Sequence, residues 1–345
     1  MLNATNTIRQ AVIVAAGHGA SLGPLTQDRP KAMLPVLGKP IIIRLMDRLR
    51  EAGIGQFVVV VDEYEGGIAS YLNSSWVPNV RVKIVIQPSP RGTADALRCA
   101  ASAIHGPFLL AACDTLVPTE HIPALIRRFQ EYDGDMVLSV VPATSDQATS
   151  LPTILADGMR VTGISERKQR SRRDFAALTV GACGKRIMNH LDDPSRGPQH
   201  NDQSMIAAVR GLIAAGGKVS YLSAVWHMRL ASELDLLTIN KRFLREDRDT
   251  HILSELPGSV QITPPVRIDP QVSVGQGAKI GPNVYLESGS YVGQDAVIWD
   301  SMVLRNAAVA NGEVVHGQIV SVQARLSEDT VAPPDVEPTE PPYYP

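Results

Sequence analysis

The chain has 345 residues, of which 33 are basic and 35 acidic, for a formal net charge of −2. That length exceeds one average domain and predicts two, while the near-cancelling charges leave no whole-chain field to favour a nucleic acid or a membrane as partner. Three cysteines, Cys99, Cys113 and Cys183, lack C-x-x-C spacing, so neither a disulfide framework nor a zinc site is indicated and a reducing cytoplasm suits them.

No apolar run approaches membrane-spanning length, and Ile8–Ala16 is too short for a signal-peptide core, so a soluble, cytoplasmic protein is expected. From Ala11 to Val141, apolar strand-like runs alternate with amphipathic ones. Strands are expected at Ala11–Val14, Phe57–Val61, Val82–Ile86, Phe108–Ala112 and Met136–Val141, with helices at Ile41–Ala52, Ala94–Ala103 and Ile122–Tyr132. That alternation predicts an α/β fold with a doubly wound, mostly parallel sheet. Ligands of such sheets bind beyond the carboxyl ends of the strands.

The first strand runs into Ala15-Ala16-Gly17-His18-Gly19. Gly17 and Gly19 can take positive φ and let backbone N–H groups approach an anion. Lys31 follows Pro30, which holds the chain extended and can aim an ammonium at the same anion. After the third strand comes Gln87-Pro88-Ser89-Pro90-Arg91-Gly92-Thr93-Ala94-Asp95-Ala96. Its plain reading is a helix start capped by Thr93; in addition, the Gln87 amide could read a base edge. The apolar strand Leu109–Ala112 ends in Cys113-Asp114-Thr115, where a carboxylate is either a turn residue or a ligand. Further on stand Val161-Thr162-Gly163-Ile164-Ser165-Glu166-Arg167, a basic run to Arg173, Thr179-Val180-Gly181, and Asn201-Asp202 before a helix at Met205–Ala215.

Taken together, Gly17-x-Gly19, Pro24-Leu25-Thr26, Pro30-Lys31 and Pro35-Val36-Leu37-Gly38-Lys39-Pro40 resemble the N-terminal signature of the sugar-1-phosphate nucleotidyltransferases, and the Gln87 segment is similar to that of glucose-1-phosphate thymidylyltransferases. The resemblance implies transfer of a nucleotide, UTP or dTTP favoured, onto a sugar 1-phosphate or related cyclitol phosphate, with release of pyrophosphate. It implies nucleotide contacts at Ala15, Ala16, Gly17, Gly19, Gln87, Gly92 and Thr93, catalytic roles for Lys31 and Asp114, and Mg²⁺ on Asp114. It also implies sugar-phosphate contacts at Glu166, Arg167 and Gly181, with Arg167 in place of the family's Lys.

Three positions depart from the family's pattern. Ser21 replaces the Arg that grips the triphosphate, Met228 falls where a second metal-binding Asp or Asn stands, and Pro152 replaces a Tyr-Gly pair that offers a backbone N–H to the sugar. Arg29, Arg91 or Arg167 could substitute for the missing Arg. Two readings therefore stand: an enzyme, or a non-catalytic relative that binds a nucleotide-sugar and regulates or assembles with a true transferase. An acyltransferase reading is poor, because His316 stands alone.

A six-residue apolar period starts near Val266: Ile268, Val274, Ile280, Leu286, Val292, Ile298, Leu304, weakening at Ala310. A second series runs from Val272 through Ala278, Val284, Ser290 and Ala296 to Met302 and beyond. This predicts a left-handed parallel β-helix of hexapeptide repeats with about three coils. The expected organisation is a nucleotidyltransferase-like domain over residues 1–250, a linker at 251–265, the β-helix at 266–325 and a Pro-rich disordered tail at 326–345. Tyr285, Tyr291, Val297 and Val303 share one hexad position and are expected to form outward stripes that drive a dimer or trimer.

Overall fold

The computed structural model describes residues 7–17, 19–63, 66–74, 76, 80–89, 91–143, 151–165, 174–191, 205–246 and 249–327. The chain forms two compact units that divide between Asp235 and Leu236.

The first unit is built on a nine-stranded sheet. Its strands are β1 (Gln10–Val14), β2 (Gln56–Val61), β3 (Arg81–Ile86), β4 (Phe108–Ala112), β5 (Met136–Pro142), β6 (Thr153–Asp157), β7 (Arg160–Ser165), β8 (Phe175–Cys183) and β9 (Val219–Ser223). The order across the sheet is β3-β2-β1-β4-β8-β5-β9-β7-β6. Helices α1 (Ile41–Glu51), α2 (Gly66–Ser74), α3 (Thr93–Cys99), α4 (His121–Tyr132) and α5 (Met205–Ala214) lie between strands in sequence, and α6 (Glu233–Arg245) carries the chain across the division. β1 (Gln-Ala-Val-Ile-Val) is apolar almost throughout and flanked on both sides, as a strand covered on both faces requires.

The parallel sheet expected from the sequence covers β3-β2-β1-β4. Beyond β4 the sheet is mixed: β8 runs antiparallel to both β4 and β5, and β7 is antiparallel to β9 and β6. Because β1 to β4 are parallel and in register (Val14 opposite Val60 and Ala112), their carboxyl ends share one edge. The segments that follow them, Ala15–Gly19, Gln87–Thr93 and Cys113–Thr115, are thereby brought to that edge from distant parts of the sequence.

In the second unit, short parallel strands stack in three sheets. One holds Gln261–Ile262, Lys279–Ile280, Val297–Trp299 and Val314–His316; another runs from Val266–Ile268 to Gln318–Val320; the third joins Ser273–Val274, Tyr291–Val292 and Ala308–Val309. Residues on stacked strands lie 18 apart at first, as in Lys279 opposite Val297, then 17 apart, as in Val297 opposite Val314. These registers fit a β-helix. The core series is Ile280, Leu286, Val292, Ile298, Val303, Val309, Val315 and Val320, all buried. It steps by five, not six, after Ile298, where Asp300 (φ 49°) turns a corner one residue shorter, and again after Val315. The strict hexad frame therefore slipped onto Leu304 and Ala310, which explains its apparent fading.

Several expectations are corrected here. The segment 251–265 is not a free linker: Ile252 bridges Ile268, and Gln261–Ile262 pairs with Lys279–Ile280. Tyr285 and Val303 are buried, with the Tyr285 hydroxyl donating to Asp269 at 2.7 Å, so the proposed outward stripe does not exist; of its four members Tyr291 alone is well exposed. Successive hexads lie on successive faces, so stacked residues are 17 or 18 apart rather than six. Arg325–Ser327 pairs antiparallel with Gln318–Val320 and covers one of the last strands. The remaining tail, residues 328–345, lies outside the described residues.

Candidate active site at the carboxyl edge

The glycine loop is shaped by contacts rather than by freedom alone. Gly19 is left-handed (φ 61°), and a Cβ there would stand 3.0 Å from Thr26 Cγ2 and 3.1 Å from Lys31 Cβ. Its missing side chain therefore makes room for the stem of Lys31. The Gly19 carbonyl accepts from Leu22 N at 2.8 Å and Thr26 Oγ1 at 3.3 Å, which closes the turn. Gly17 faces open space and, unlike Gly19, does not use the positive φ open to it. Ala15 and Ala16 are buried, and the Ala15 amide is already committed to Val60 O at 2.8 Å. Ser21 is exposed on the short 3-10 helix Ala20–Thr26.

Pro30 is extended (φ −65°, ψ 154°), as expected, and directs Lys31 inward. Lys31 Nζ donates to Asp114 Oδ2, a pair whose side chains are 13% and 8% exposed. Thr115 Oγ1 donates to Asp114 Oδ1 at 3.2 Å. Thr115–Leu116 also forms a two-stranded ribbon with Met228–Arg229, and this brings Arg229 Nε to 3.6 Å from Asp114 Oδ2. Arg229 is the residue that sequence reasoning missed. Its adjacency to Met228, which the resemblance set at a metal-ligand position, was the available signal; Arg29, one of the expected substitutes, instead has a side chain 8% exposed and lies 3.8 Å from Asp28.

Does the donor set at Asp114 fit Mg²⁺? The ion takes oxygen ligands at near-ideal octahedral geometry, usually one or two carboxylates plus phosphate oxygens. Here both oxygens of the single carboxylate are engaged by Thr115, Lys31 and Arg229, and the facing strand supplies a buried methionine. In this arrangement one carboxylate, held by a lysine and an arginine and faced by Met228, does not fit a protein-bound Mg²⁺.

Gln87 is 1% exposed, and its Nε2 donates to Asp95 Oδ2, itself paired with Arg98. A carboxylate only accepts, so the amide nitrogen is fixed toward Asp95 and the carbonyl oxygen is left as the group able to meet a base. Gly92 (φ 104°) is the N-cap of α3; Thr93 is already helical and makes no side-chain cap, contrary to the expectation. Thr93 instead lines a cavity of about 160 Å³ with Pro152, Ile164, Thr179, Gly181 and Met205. At Gly181 a Cβ would lie 3.0 Å from Val137 O, so this glycine also permits close strand packing. The Pro152 carbonyl accepts from Ala177 N at 2.8 Å, and the residue offers no donor to the cavity. Glu166, Arg167 and Asn201-Asp202 lie outside the described residues, although β7 ends at Ser165, immediately before that pair.

Comparison with known proteins agrees with this geometry. Residues 10–180 match the family described as nucleotidyl transferase, and residues 262–332 match the GMPPB C-terminal domain. The bifunctional protein GlmU of Methanococcus vannielii is 24% identical over 353 aligned positions, spanning 93% of this chain and 80% of that protein. A UTP--glucose-1-phosphate uridylyltransferase, AglF of Haloferax volcanii, is 31% identical over 140 positions, 41% of this chain and 57% of its own. Among solved structures, the UDP-glucose pyrophosphorylase from Acinetobacter baumanii superimposes with a TM-score of 0.60 at 20% identity, over 69% of this chain and 94% of that one. The inositol-1-phosphate CTP transferase from T. maritima gives 0.56 at 20% identity, over 66% and 91%. At such identities the structural likeness establishes the fold alone, a nucleotide-diphospho-sugar transferase variant of the Rossmann-like α/β class. With the signature residues on one edge of that fold, the chain belongs to the sugar-1-phosphate nucleotidyltransferase family.

Proposed function

We propose that the chain couples a pyrimidine nucleoside triphosphate, UTP or dTTP, to a sugar 1-phosphate or related cyclitol phosphate. The observation that carries this reading is the convergence of the Gly19 turn, Lys31 and the Gln87–Thr93 segment on the carboxyl edge of β1 to β4. A phosphate oxygen of the sugar phosphate attacks the α-phosphorus, the bond to the β-phosphate oxygen breaks, and pyrophosphate leaves. Such transfers need positioning and charge stabilisation rather than a side-chain nucleophile. Lys31 supplies charge at the α-phosphate, and Asp114 holds Lys31 in place. The backbone at Gly17 and Gly19 approaches the phosphates, while Gly92, Thr93 and the Gln87 carbonyl oxygen face the base. That oxygen suits the N3–H of uracil or thymine and opposes cytosine, whose N3 is an acceptor. Thr179 and Gly181 border the sugar side, where Glu166 and Arg167 complete the set.

A second reading, a nucleotide-sugar-binding regulatory or assembly subunit, is favoured by Met228 at the metal-ligand position and by Ser21 and Pro152. One experiment separates the two: incubation with each nucleoside triphosphate and a panel of sugar phosphates, measuring pyrophosphate. The enzyme reading expects release with UTP or dTTP and more from Ser21→Arg, whose guanidinium can grip phosphates bidentately. No release from either chain favours the regulator.

The second unit is read as a left-handed β-helix over residues 266–325 that drives a homodimer or homotrimer. Support comes from strand Val314–His316, which no further strand covers among the described residues, and from Val314, 61% exposed. Sedimentation of the full chain at micromolar concentration should show the oligomer, and a monomer refutes it. No helix among the described residues is long and apolar enough to cross a membrane, and a cytoplasmic location is part of this proposal.

A further inference from the structure

Asp114 is flanked by two cations, and the charges around it do not balance. Lys31 donates to its Oδ2, and Arg229 Nε lies 3.6 Å from the same atom. Among the described residues Asp114 is the sole acidic partner of either. Arg229 Nε is moreover buried without a hydrogen-bond partner, while the side chain as a whole is 37% exposed. Two cations on one carboxylate leave an excess positive charge at a partly desolvated edge, an arrangement that an incoming anion completes.

We propose that Lys31 and Arg229 form a phosphate clamp anchored on Asp114, and that this clamp binds the phosphates of a nucleotide without a divalent cation. The ribbon that carries Met228 in place of a carboxylate carries, one residue on, a guanidinium able to supply the charge that a metal would bring. Arg suits this role because its planar fork presents several donors to phosphate oxygens at once. Arg229 lies beside the junction of the glycine loop and Asp114, so the clamp rests on the reading of this edge as a nucleotide site.

Calorimetric titration of UTP into the full chain, in Mg²⁺ and separately in EDTA, tests the clamp. Wild-type affinity should differ by less than about threefold between the two conditions. Arg229→Met should weaken binding about tenfold or more in both, with Arg229→Lys intermediate because it keeps the charge without the fork. The double variant Met228→Asp with Arg229→Val should bind UTP more tightly in Mg²⁺ than in EDTA. Wild-type binding that collapses in EDTA overturns the clamp and leaves the nucleotide site standing, as does Arg229→Met binding like wild type while retaining the wild-type circular dichroism. Absence of UTP binding in both conditions overturns the nucleotide site and the clamp with it.

Discussion

The two sides of Asp114 are built by different physics. On the loop side, Gly19, Thr26 and Lys31 lie within 13 residues of sequence, and their arrangement is steric: a Cβ at Gly19 would meet Thr26 and Lys31 at 3.0 and 3.1 Å. On the ribbon side, Met228–Arg229 reaches Thr115–Leu116 by backbone pairing across more than a hundred residues of sequence. The pairing leaves Met228 buried and holds Arg229 Nε 3.6 Å from Asp114 Oδ2. The loop fixes the shape of the site and brings Lys31; the ribbon brings the second cation, Arg229.

The comparison breaks most severely where the sides meet. Asp114→Ala removes the anchor shared by Lys31 and Arg229 and leaves two cations facing each other at a mostly buried edge. A loss of about 3–5 kcal/mol in folding stability is expected, read as a lower urea midpoint; a change under about 1 kcal/mol would mean that the two cations are independent of Asp114.

Acid stability provides the next effect, and it must be separated from the charges at Asp114. Burial pushes His121 down to about 4 from 6.5, against a smaller opposite influence of Glu120, and its Nε2 lies 2.9 Å from Ser139 Oγ. Above pH 6.5 the ring is neutral whether the chain is folded or not. As pH falls from 6.5 to about 4 the unfolded chain takes up a proton that the folded one refuses, so stability is lost across that window, by about 3 kcal/mol. Denaturant midpoints of wild type and His121→Gln, measured across the window, should differ in slope; parallel curves would exclude His121 as the cause.

Gly19→Ala sharpens the steric side. A left-handed alanine costs about 1–2 kcal/mol, and the crowding against Lys31 should weaken UTP binding beyond that stability loss. Stability and affinity both unchanged would show that the loop is not built by clearance. Smallest is Met228→Leu, a swap of similar volume at a buried position, which should cost less than about 1.5 kcal/mol and leave UTP affinity as it was. A large drop in affinity would show the Met228 thioether taking part in binding.

How much of this was legible in the sequence follows from the range of the forces involved. Apolar strands such as Phe57–Val61 and the loop from Gly17 to Lys31 declare themselves locally, and the structure places them within a residue or two of expectation. The coil was legible through its period but misframed after Ile298, because a corner one residue shorter shifts every later apolar position. Thr93 as a cap failed because Gly92, at φ 104°, takes the capping position itself. The Arg229–Asp114 contact and the engagement of Gln87 by Asp95 were not legible, since each depends on how separate segments meet in space.

Titration of UTP and of ATP into wild-type and Lys31→Ala chains tests most directly whether the carboxyl edge of β1 to β4 binds a pyrimidine nucleotide through its lysine. Wild type should bind UTP about tenfold more tightly than ATP, and Lys31→Ala should weaken UTP by about tenfold or more, since a charge-assisted contact is worth about 1.5–3 kcal/mol. Equal affinity for the two nucleotides, or UTP affinity unaltered in Lys31→Ala, would contradict it.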